Sequence, residues 1–205
     1  MAAQKDLRIT HIFETHVQAD HLSGARRLAE ATGAPVLFHR SAPVVFPHVG
    51  IAEGEEQVLG NVRVAVLHTP GHTPDSTSLL VTDRTRAPEP WFVLTGDTLF
   101  SGAVGRPDLL GEGTEVVQAE QLYESLHGTL LRLPDHIEIF PAHFGGAACG
   151  KGLSGKPGST IGFERRFNPA LRHRSKEDFV RFVLAELPAE PAQFAHNRMR
   201  NLGAE

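Results

Sequence analysis

Short stretches of the chain alternate apolar with polar residues, which is the pattern of β-strands that bury one face. Residues 61–71, for example, place a valine at every second position and then end in a Pro-Gly pair. Turn-forming residues flank most of the other alternating stretches. The pattern predicts six strands, over residues 7–16, 35–40, 61–71, 76–83, 91–97 and 136–140.

Three further stretches have the spacing or the end signals of helices. The predicted helices cover residues 24–32, 115–131 and 175–187. Ser23 can cap the first helix and Gly33 can end it, whereas Ser175 with Asp178 resembles a capping box at the start of the last. The order β-α-β-β-β-β-α-β-α predicts an α/β fold built in layers.

Length and charge narrow the class of protein further. The 205 residues suit a single domain over 1–205, and a net charge of −4 without a basic run favours neither nucleic acid nor an anionic membrane surface as partner. No stretch has the apolar length of a signal peptide or a spanning helix. Cys149 is the single cysteine, so an internal disulfide is excluded, and we expect a cytoplasmic protein.

Four of the predicted strands end in polar residues of the kinds that bind metal ions. These strand ends read ETHVQADH, HTPGHTPDS, TGDTLF and FPAHF. The candidate ligands are His16, Asp20, His21, His72, Asp97 and His143. All six offer nitrogen or oxygen donors and none a thiolate, a set that suits Zn, Fe, Mn or Co. One histidine after a strand is usually structural, but six ligand-type residues in this order predict a metal site.

The motifs H-x-Q-x-D-H, G-H-T, G-D-T and P-A-H, in this order, resemble the ligand series of the metallo-β-lactamase superfamily. That resemblance implies an αββα sandwich with metal bound at one sheet edge. Within the superfamily, ETHVQADHLSGARRLA, GHTPDSTSLLV and GDTLFSGAVGRPDL are most similar to the persulfide dioxygenases, also called the ethylmalonic encephalopathy protein family. FPAHFGGAACGKGL and STIGFERRFNPAL resemble the bacterial members, some of which carry a rhodanese domain; we expect a protein of this type without that domain.

Gln18 bears on which metal the resemblance implies. In the dinuclear hydrolases of the superfamily, a histidine at this position binds the first metal. With Gln18 in its place, His16, His72 and Asp97 remain, which is the two-histidine, one-carboxylate set of non-haem Fe(II) oxygenases. Persulfide dioxygenases resemble this, so we expect one Fe(II) per chain, with Zn as a substitute. Two roles stay open for Asp20, His21 and His143: they orient the iron's ligands, or they bind a second metal.

The resemblance implies oxidation of glutathione persulfide, or of a related small persulfide, with O2 to sulfite and the free thiol, as in sulfide detoxification. Arg106 and Arg165 are expected to bind the carboxylates of glutathione, although surface ion pairs would also explain them. One alternative is a glyoxalase II-like thioester hydrolase with one or two metals, which Gln18 disfavours. Another is an inactive metal-binding protein that works within a complex.

Three departures from the family are visible. The tyrosine that animal members carry two residues after the P-A-H histidine is Gly145 here, and the single tyrosine, Tyr123, lies in a predicted helix. Cys149 is expected to be a small buried residue rather than a nucleophile. Only 15 residues precede His16, where relatives usually have several strands and a helix. We therefore expect one sheet to expose an unpaired edge, with low stability or self-association as the result.

Overall fold

A computed structural model describes residues 3–111, 113–145, 152–185, 187 and 189–204, so Cys149 lies outside the described residues. Within them the strands are β1 (Ile12–Phe13), β2 (Val36–His39), β3 (Val49–Ile51), β4 (Glu56–Leu59), β5 (Val62–His68), β6 (Thr77–Asp83), β7 (Phe92–Gly96), β8 (Glu138–Pro141) and β9 (Ser159–Thr160). The α-helices are α1 (Ala25–Thr32), α2 (Glu115–Glu124), α3 (Ile161–Phe167), α4 (Lys176–Leu184) and α5 (Gln193–Leu202). Short 3₁₀ turns occupy Ala3–Lys5, Leu130–Arg132 and Ala170–Arg172.

The strands form two sheets that pack face to face. Strands β1, β2 and β3 form a parallel sheet in that order, and β4 to β9 form a six-stranded sheet in chain order. The second sheet is antiparallel except where β7 runs parallel to β8. Leu37 and Ile51 of the first sheet pack against Val66, Leu79 and Val81 of the second, which makes an apolar layer between them.

Helices cover the outer face of each sheet. Leu122 of α2 and Phe179 of α4 pack on Ile139 of β8, outside the six-stranded sheet. On the other side, Ala25 of α1 and Leu202 of α5 pack on the three-stranded sheet. The order helix, sheet, sheet, helix confirms the expected αββα sandwich.

Most predicted elements are present, with shifted ends. The predicted strand over residues 7–16 is reduced to Ile12–Phe13, because this edge strand pairs with β2 alone among the described residues. The strands predicted over residues 76–83 and 91–97, by contrast, are present over almost their full length as β6 and β7. Strands β3, β4 and β9 and helices α3 and α5 were not predicted, since they are short or carry few apolar residues.

Two of the predicted helix end signals are confirmed, whereas the N-cap of α1 is Gly24 rather than Ser23 and has no side-chain cap hydrogen bond. Ser175 Oγ accepts a hydrogen bond from the Asp178 N–H at 3.1 Å, and Gly33 ends α1 in the left-handed region with φ of 72°. The predicted helix over 115–131 is α-helical only to Glu124, and a π turn over Ser125–Thr129 continues it. Helix α4 ends at Leu184 rather than at residue 187. Within the described part of the chain, none of the helices has the length and apolar character needed to cross a bilayer.

Candidate metal centre

Strand directions bring the predicted ligands to one edge of the sandwich. Asp97 follows β7 and His143 follows β8, and because these strands are parallel, both residues emerge at the same sheet edge. His72 follows β5, which runs in the same direction as β7. His16 follows β1, whose end is fixed to this edge by the Thr77 N–H, which donates to the Thr15 carbonyl at 2.8 Å.

His16, His72 and Asp97 form a buried cluster. Each offers one ligand atom, and these three atoms all lie within 4.8 Å of one another. Asp97 Oδ2 is 3.5 Å from His72 Nε2 and 3.9 Å from His16 Nε2, and all three side chains are almost inaccessible to solvent. The three residues predicted to bind the metal therefore lie together in one buried cluster.

The other ring nitrogens fix which atoms face the cluster. His72 Nδ1 lies 2.8 Å from the Arg106 carbonyl oxygen, which can only accept a hydrogen bond. Nδ1 of His72 therefore carries the proton, and its Nε2 presents a lone pair to the cluster. His16 Nδ1 lies 3.0 Å from Thr15 Oγ1 and is oriented in the same way, with Nε2 towards Asp97.

Burial and charge set the protonation of these ligands. Burial lowers the pKa of His16 to about 4, so its imidazole is neutral at neutral pH, as metal binding requires. Burial alone would raise the pKa of Asp97, but the hydrogen bond from His143 and the neighbouring histidines lower it below its usual value. The cluster thus offers the neutral imidazole of His16, the imidazole of His72 and one carboxylate.

A metal ion fits this arrangement. Asp97 Oδ2 is buried and has no hydrogen-bond partner among the described residues, although its sister oxygen accepts from His143. A buried carboxylate oxygen without a partner is costly, and a cation between it and the two Nε2 atoms would remove that cost. Two histidines and one carboxylate suit Fe(II) or Zn, so the residues fit the expected ion.

A second group of ligand-type residues lies next to the first. Asp20, His21 and His143 also offer atoms that lie within 4.8 Å of one another. His143 bridges two carboxylates, with Nε2 2.6 Å from Asp20 Oδ2 and Nδ1 2.7 Å from Asp97 Oδ1. Burial lowers the pKa of His143, but the hydrogen bonds and charges of Asp20 and Asp97 outweigh it and raise the pKa to about 10. In this arrangement both ring nitrogens of His143 donate to carboxylates.

Gln18 is buried beside the first cluster. Its side-chain Oε1 has no hydrogen-bond partner within the described part of the chain, and its main-chain oxygen accepts from Asn201 Nδ2 at 2.9 Å. A cavity of about 410 Å³ opens next to His16 and Gln18. The arginines that line this cavity are Arg26, Arg27 and Arg200.

The profile of the metallo-beta-lactamase superfamily matches residues 2–143, well over half of the sequence. The chain belongs to the metallo-β-lactamase superfamily. Members of this superfamily are enzymes, and the αββα fold, the strand-end ligands and the metal-type cluster are those expected of one.

Two solved metallo-β-lactamase-fold structures are similar over 98% of the chain, each at 33% identity. A metallo-beta-lactamase from Staphylococcus aureus superposes with a TM-score of 0.89, and the chain spans 60% of its length. ETHE1 from Myxococcus xanthus superposes with a TM-score of 0.80, and 81% of its length is covered. The hydroxyacylglutathione hydrolase of Idiomarina loihiensis is 35% identical over 140 residues, which are 68% of this chain and 49% of that protein.

The two arginines predicted to bind substrate are engaged elsewhere. Arg106 is buried and forks onto Asp108, with Nε and Nη2 each 2.7 Å from a carboxylate oxygen. Arg165 contacts Asp135 and donates to the carbonyls of Leu131 and Leu133, before the start of β8. In this conformation Arg165 does not reach the cluster, because His143 lies past the opposite end of that strand. Of the two, only Arg106 adjoins a ligand, through its main-chain oxygen.

Several residues that hold the candidate ligands in place were not predicted from the sequence. Asp75 is buried and its Oδ2 accepts from the Val17 N–H at 2.8 Å, directly after His16. Asn201 of α5 binds the segment between Gln18 and Ser23 at three points. Asp75 lies in the GHTPDS motif and could have been considered, but nothing in the sequence links Asn201 to residues so far away. Tyr123 lies in α2, where its hydroxyl donates to the Arg174 carbonyl.

Proposed function

We propose that this chain is a persulfide dioxygenase that binds one Fe(II) through His16, His72 and Asp97. Its substrate would be glutathione persulfide or a related small persulfide, and its products sulfite and the free thiol. The observation that carries the proposal is the buried cluster of two imidazoles and one carboxylate with an unpartnered oxygen, next to a glutamine rather than a further histidine.

The similarity to ETHE1 from Myxococcus xanthus supports this reading, since it covers 98% of the chain at 33% identity. ETHE1 carries the name of the ethylmalonic encephalopathy protein family, to which the sequence motifs of this chain are most similar. Gln18 supports it as well, because a dinuclear hydrolase needs a histidine at this position and a facial-triad iron does not. Both ring nitrogens of His143 lie against carboxylate oxygens of Asp20 and Asp97, which fits a role for this histidine in orienting Asp97.

The proposed reaction consumes one persulfide, one O2 and one water and yields the thiol, sulfite and two protons. The S–S bond breaks, four electrons pass to O2, and the terminal sulfur leaves as sulfite. Bound iron would supply the redox chemistry with O2. The chain itself holds His16 and His72 with Nε2 towards the cluster, keeps Asp97 ionised through His143, and excludes bulk water by burying all three.

The cavity beside His16 and Gln18 supports an anionic substrate. Arg26, Arg27 and Arg200 are among the residues that line it, and carboxylates such as those of glutathione pair well with guanidinium groups. Glu14 and Glu30 also line the cavity, so an amino group on the same ligand would have acidic partners. A glutathione-type carrier, which has two carboxylates and one amine, suits both sets of charges.

A thioester hydrolase is the second candidate. The identity of 35% to the hydroxyacylglutathione hydrolase of Idiomarina loihiensis favours it, although only 49% of that protein is covered. The group of Asp20, His21 and His143 favours it too, because these residues offer donors for a second ion. Both candidates act on glutathione-type substrates, so a comparison of two such substrates can separate them.

The experiment uses protein purified without oxygen and loaded with iron. We expect O2 uptake on addition of glutathione persulfide, with sulfite formed in equal amount, and no cleavage of S-lactoylglutathione. Absence of O2 uptake together with cleavage of S-lactoylglutathione would reject the dioxygenase in favour of the hydrolase. A His72→Ala variant serves as the control, since it should lose the reaction under either reading.

A further inference from the structure

The motif STIGFERRFNPAL contributes two buried polar residues whose role the metal cluster does not explain. Glu164 and Asn168 lie one helical turn apart, at the end of α3, and each is only about 1% exposed. Burying a carboxylate is costly unless hydrogen bonds compensate it, so the partners of Glu164 indicate what it does.

Those partners are Asn168 itself and the segment that follows Asp97, here called the Asp97 loop (residues 98–106). Glu164 Oε2 accepts from the Gly102 N–H at 2.9 Å and from Asn168 Nδ2 at 2.9 Å. Asn168 Nδ2 also donates to the Ala103 carbonyl at 3.0 Å. Glu164 and Asn168 therefore hold the tip of the Asp97 loop through one donor and one acceptor of its backbone.

The Asp97 loop is tightly folded between its tip and its base. The Phe100 N–H donates to the Ala103 carbonyl at 3.0 Å, and Leu99 pairs with Val104 in an antiparallel bridge. Both side chains of that pair are buried. A closely packed hairpin of this kind moves as a unit, so a displacement of its tip is passed on to its base.

The base of the loop touches two of the proposed metal ligands. A Cβ added to Gly105 would lie 1.9 Å from the Asp97 carbonyl oxygen and 3.2 Å from His72 Cβ, so the backbone here has no room to shift towards them. The next residue, Arg106, accepts the hydrogen bond from His72 Nδ1 at 2.8 Å. The position of the loop therefore sets both the orientation of the His72 ring and the packing around Asp97.

We propose that Glu164 and Asn168 are positioning residues that hold the Asp97 loop in place and so set the geometry of His72 and Asp97 for a divalent metal. They act through the backbone of Gly102, Ala103 and Arg106 and touch neither metal nor substrate. The inference rests on the proposed metal site, but it does not depend on the reaction that the site performs.

Three substitutions separate this role from simple packing. Glu164→Ala removes the acceptor for the Gly102 N–H, whereas Glu164→Gln keeps one oxygen that can accept both hydrogen bonds. Asn168→Asp keeps the shape but replaces the donor with a second acceptor, which would repel both Glu164 and the Ala103 carbonyl. Ser175→Ala is the matched control, because it removes the cap of α4 and destabilises the fold away from the Asp97 loop.

The test measures binding of Co²⁺ to the metal-free protein by calorimetry, the visible spectrum of the bound Co²⁺, and thermal unfolding of the metal-free variants. We expect Glu164→Ala and Asn168→Asp to weaken Co²⁺ binding by about 10-fold and to change the spectrum, as loss of groups that orient a ligand does. Glu164→Gln should show the Co²⁺ binding and the spectrum of the wild type. Ser175→Ala should lower the unfolding temperature without changing Co²⁺ binding or the spectrum.

If Glu164→Ala binds Co²⁺ as the wild type does and gives the same spectrum, the inference is wrong, but the proposed metal site is not affected. Loss of binding in Ser175→Ala equal to that in Glu164→Ala would overturn it as well, since general destabilisation would then be the cause. A wild-type protein that binds no Co²⁺ would overturn the metal site and this inference together.

Discussion

The binding properties of the cluster depend on two ring nitrogens that face away from it. These are Nδ1 of His72 and Nδ1 of His16. Each has an oxygen partner, at 2.8 Å and 3.0 Å respectively, and Nε2 of each ring is turned towards Asp97 Oδ2. His143 differs, because both of its nitrogens lie against carboxylates. The same residue type therefore supplies ligands in one position and a charged bridge in the other.

The His143 bridge predicts a pH dependence of the metal-free protein. Since the pKa of His143 is raised from 6.5 to about 10, its contacts with Asp20 and Asp97 stabilise the fold fully below pH 6.5. That contribution is lost as the pH rises towards 10. Thermal unfolding in the presence of a chelator should show the wild type more stable than His143→Gln at pH 6, with the difference shrinking at higher pH. A difference that stays constant up to pH 10 would contradict the bridge.

Gly105 predicts a steric effect on the same cluster. In Gly105→Ala, the new Cβ would lie 1.9 Å from the Asp97 carbonyl oxygen, so the backbone must move. We expect a loss of about 1–3 kcal/mol in the free energy of unfolding, as in overpacked cores, together with weaker metal binding. Gly24→Ala is the control, since no atom of the described residues lies within 4 Å of its added Cβ. Denaturant unfolding and metal titration of both variants check this, and wild-type behaviour of Gly105→Ala would refute it.

Among the elements, α5 has the least expected role. It packs outside the three-stranded sheet, yet its Asn201 accepts from the Ser23 N–H at 2.9 Å and donates to the carbonyls of Gln18 and His21 at 2.9 and 2.8 Å. The C-terminal helix thus fixes the segment that carries Asp20 and His21. This contact spans almost the whole sequence.

Asn201→Ala should therefore destabilise the protein through a helix that lies outside the motifs. It leaves three backbone groups without this partner, and we expect a loss of about 1–3 kcal/mol in the free energy of unfolding. Asn197→Ala, on the same helix, removes a single contact to the Ala19 carbonyl at 3.0 Å and should cost less. Urea unfolding of the two variants provides the comparison. Equal losses would show that α5 acts by packing alone.

The elements also show how far sequence patterns reach. Strands that bury a face, such as β5 and β6, and the ligands at their ends were predictable because alternation and motif order are local signals. Helix α5 was not predictable in this way, because its buried residues are only Phe194, Asn201 and Leu202, and one of these is polar. The partners of Arg165 were not predictable either, since its contact with Asp135 depends on where α3 packs in the fold.

At the scale of the whole molecule, the sandwich leaves β1 at the edge of a three-stranded sheet. Within the described residues, its hydrogen bonds run from Ile12 to Pro35 and from Glu14 to Leu37, on the side of β2 alone. An open edge can pair with another chain. We therefore expect self-association that increases with protein concentration. Light scattering over a range of concentrations checks this, and a monomer throughout would contradict it.

The metal content of the whole protein tests the central claim most directly. Iron should be counted per chain in protein purified without oxygen, for the wild type and for two histidine variants of the same segment. We expect one iron in the wild type, none in His16→Ala, and one in His11→Ala, since His11 lies outside both ligand groups. Two metals in the wild type, or iron retained by His16→Ala, would contradict a single ion held by His16, His72 and Asp97.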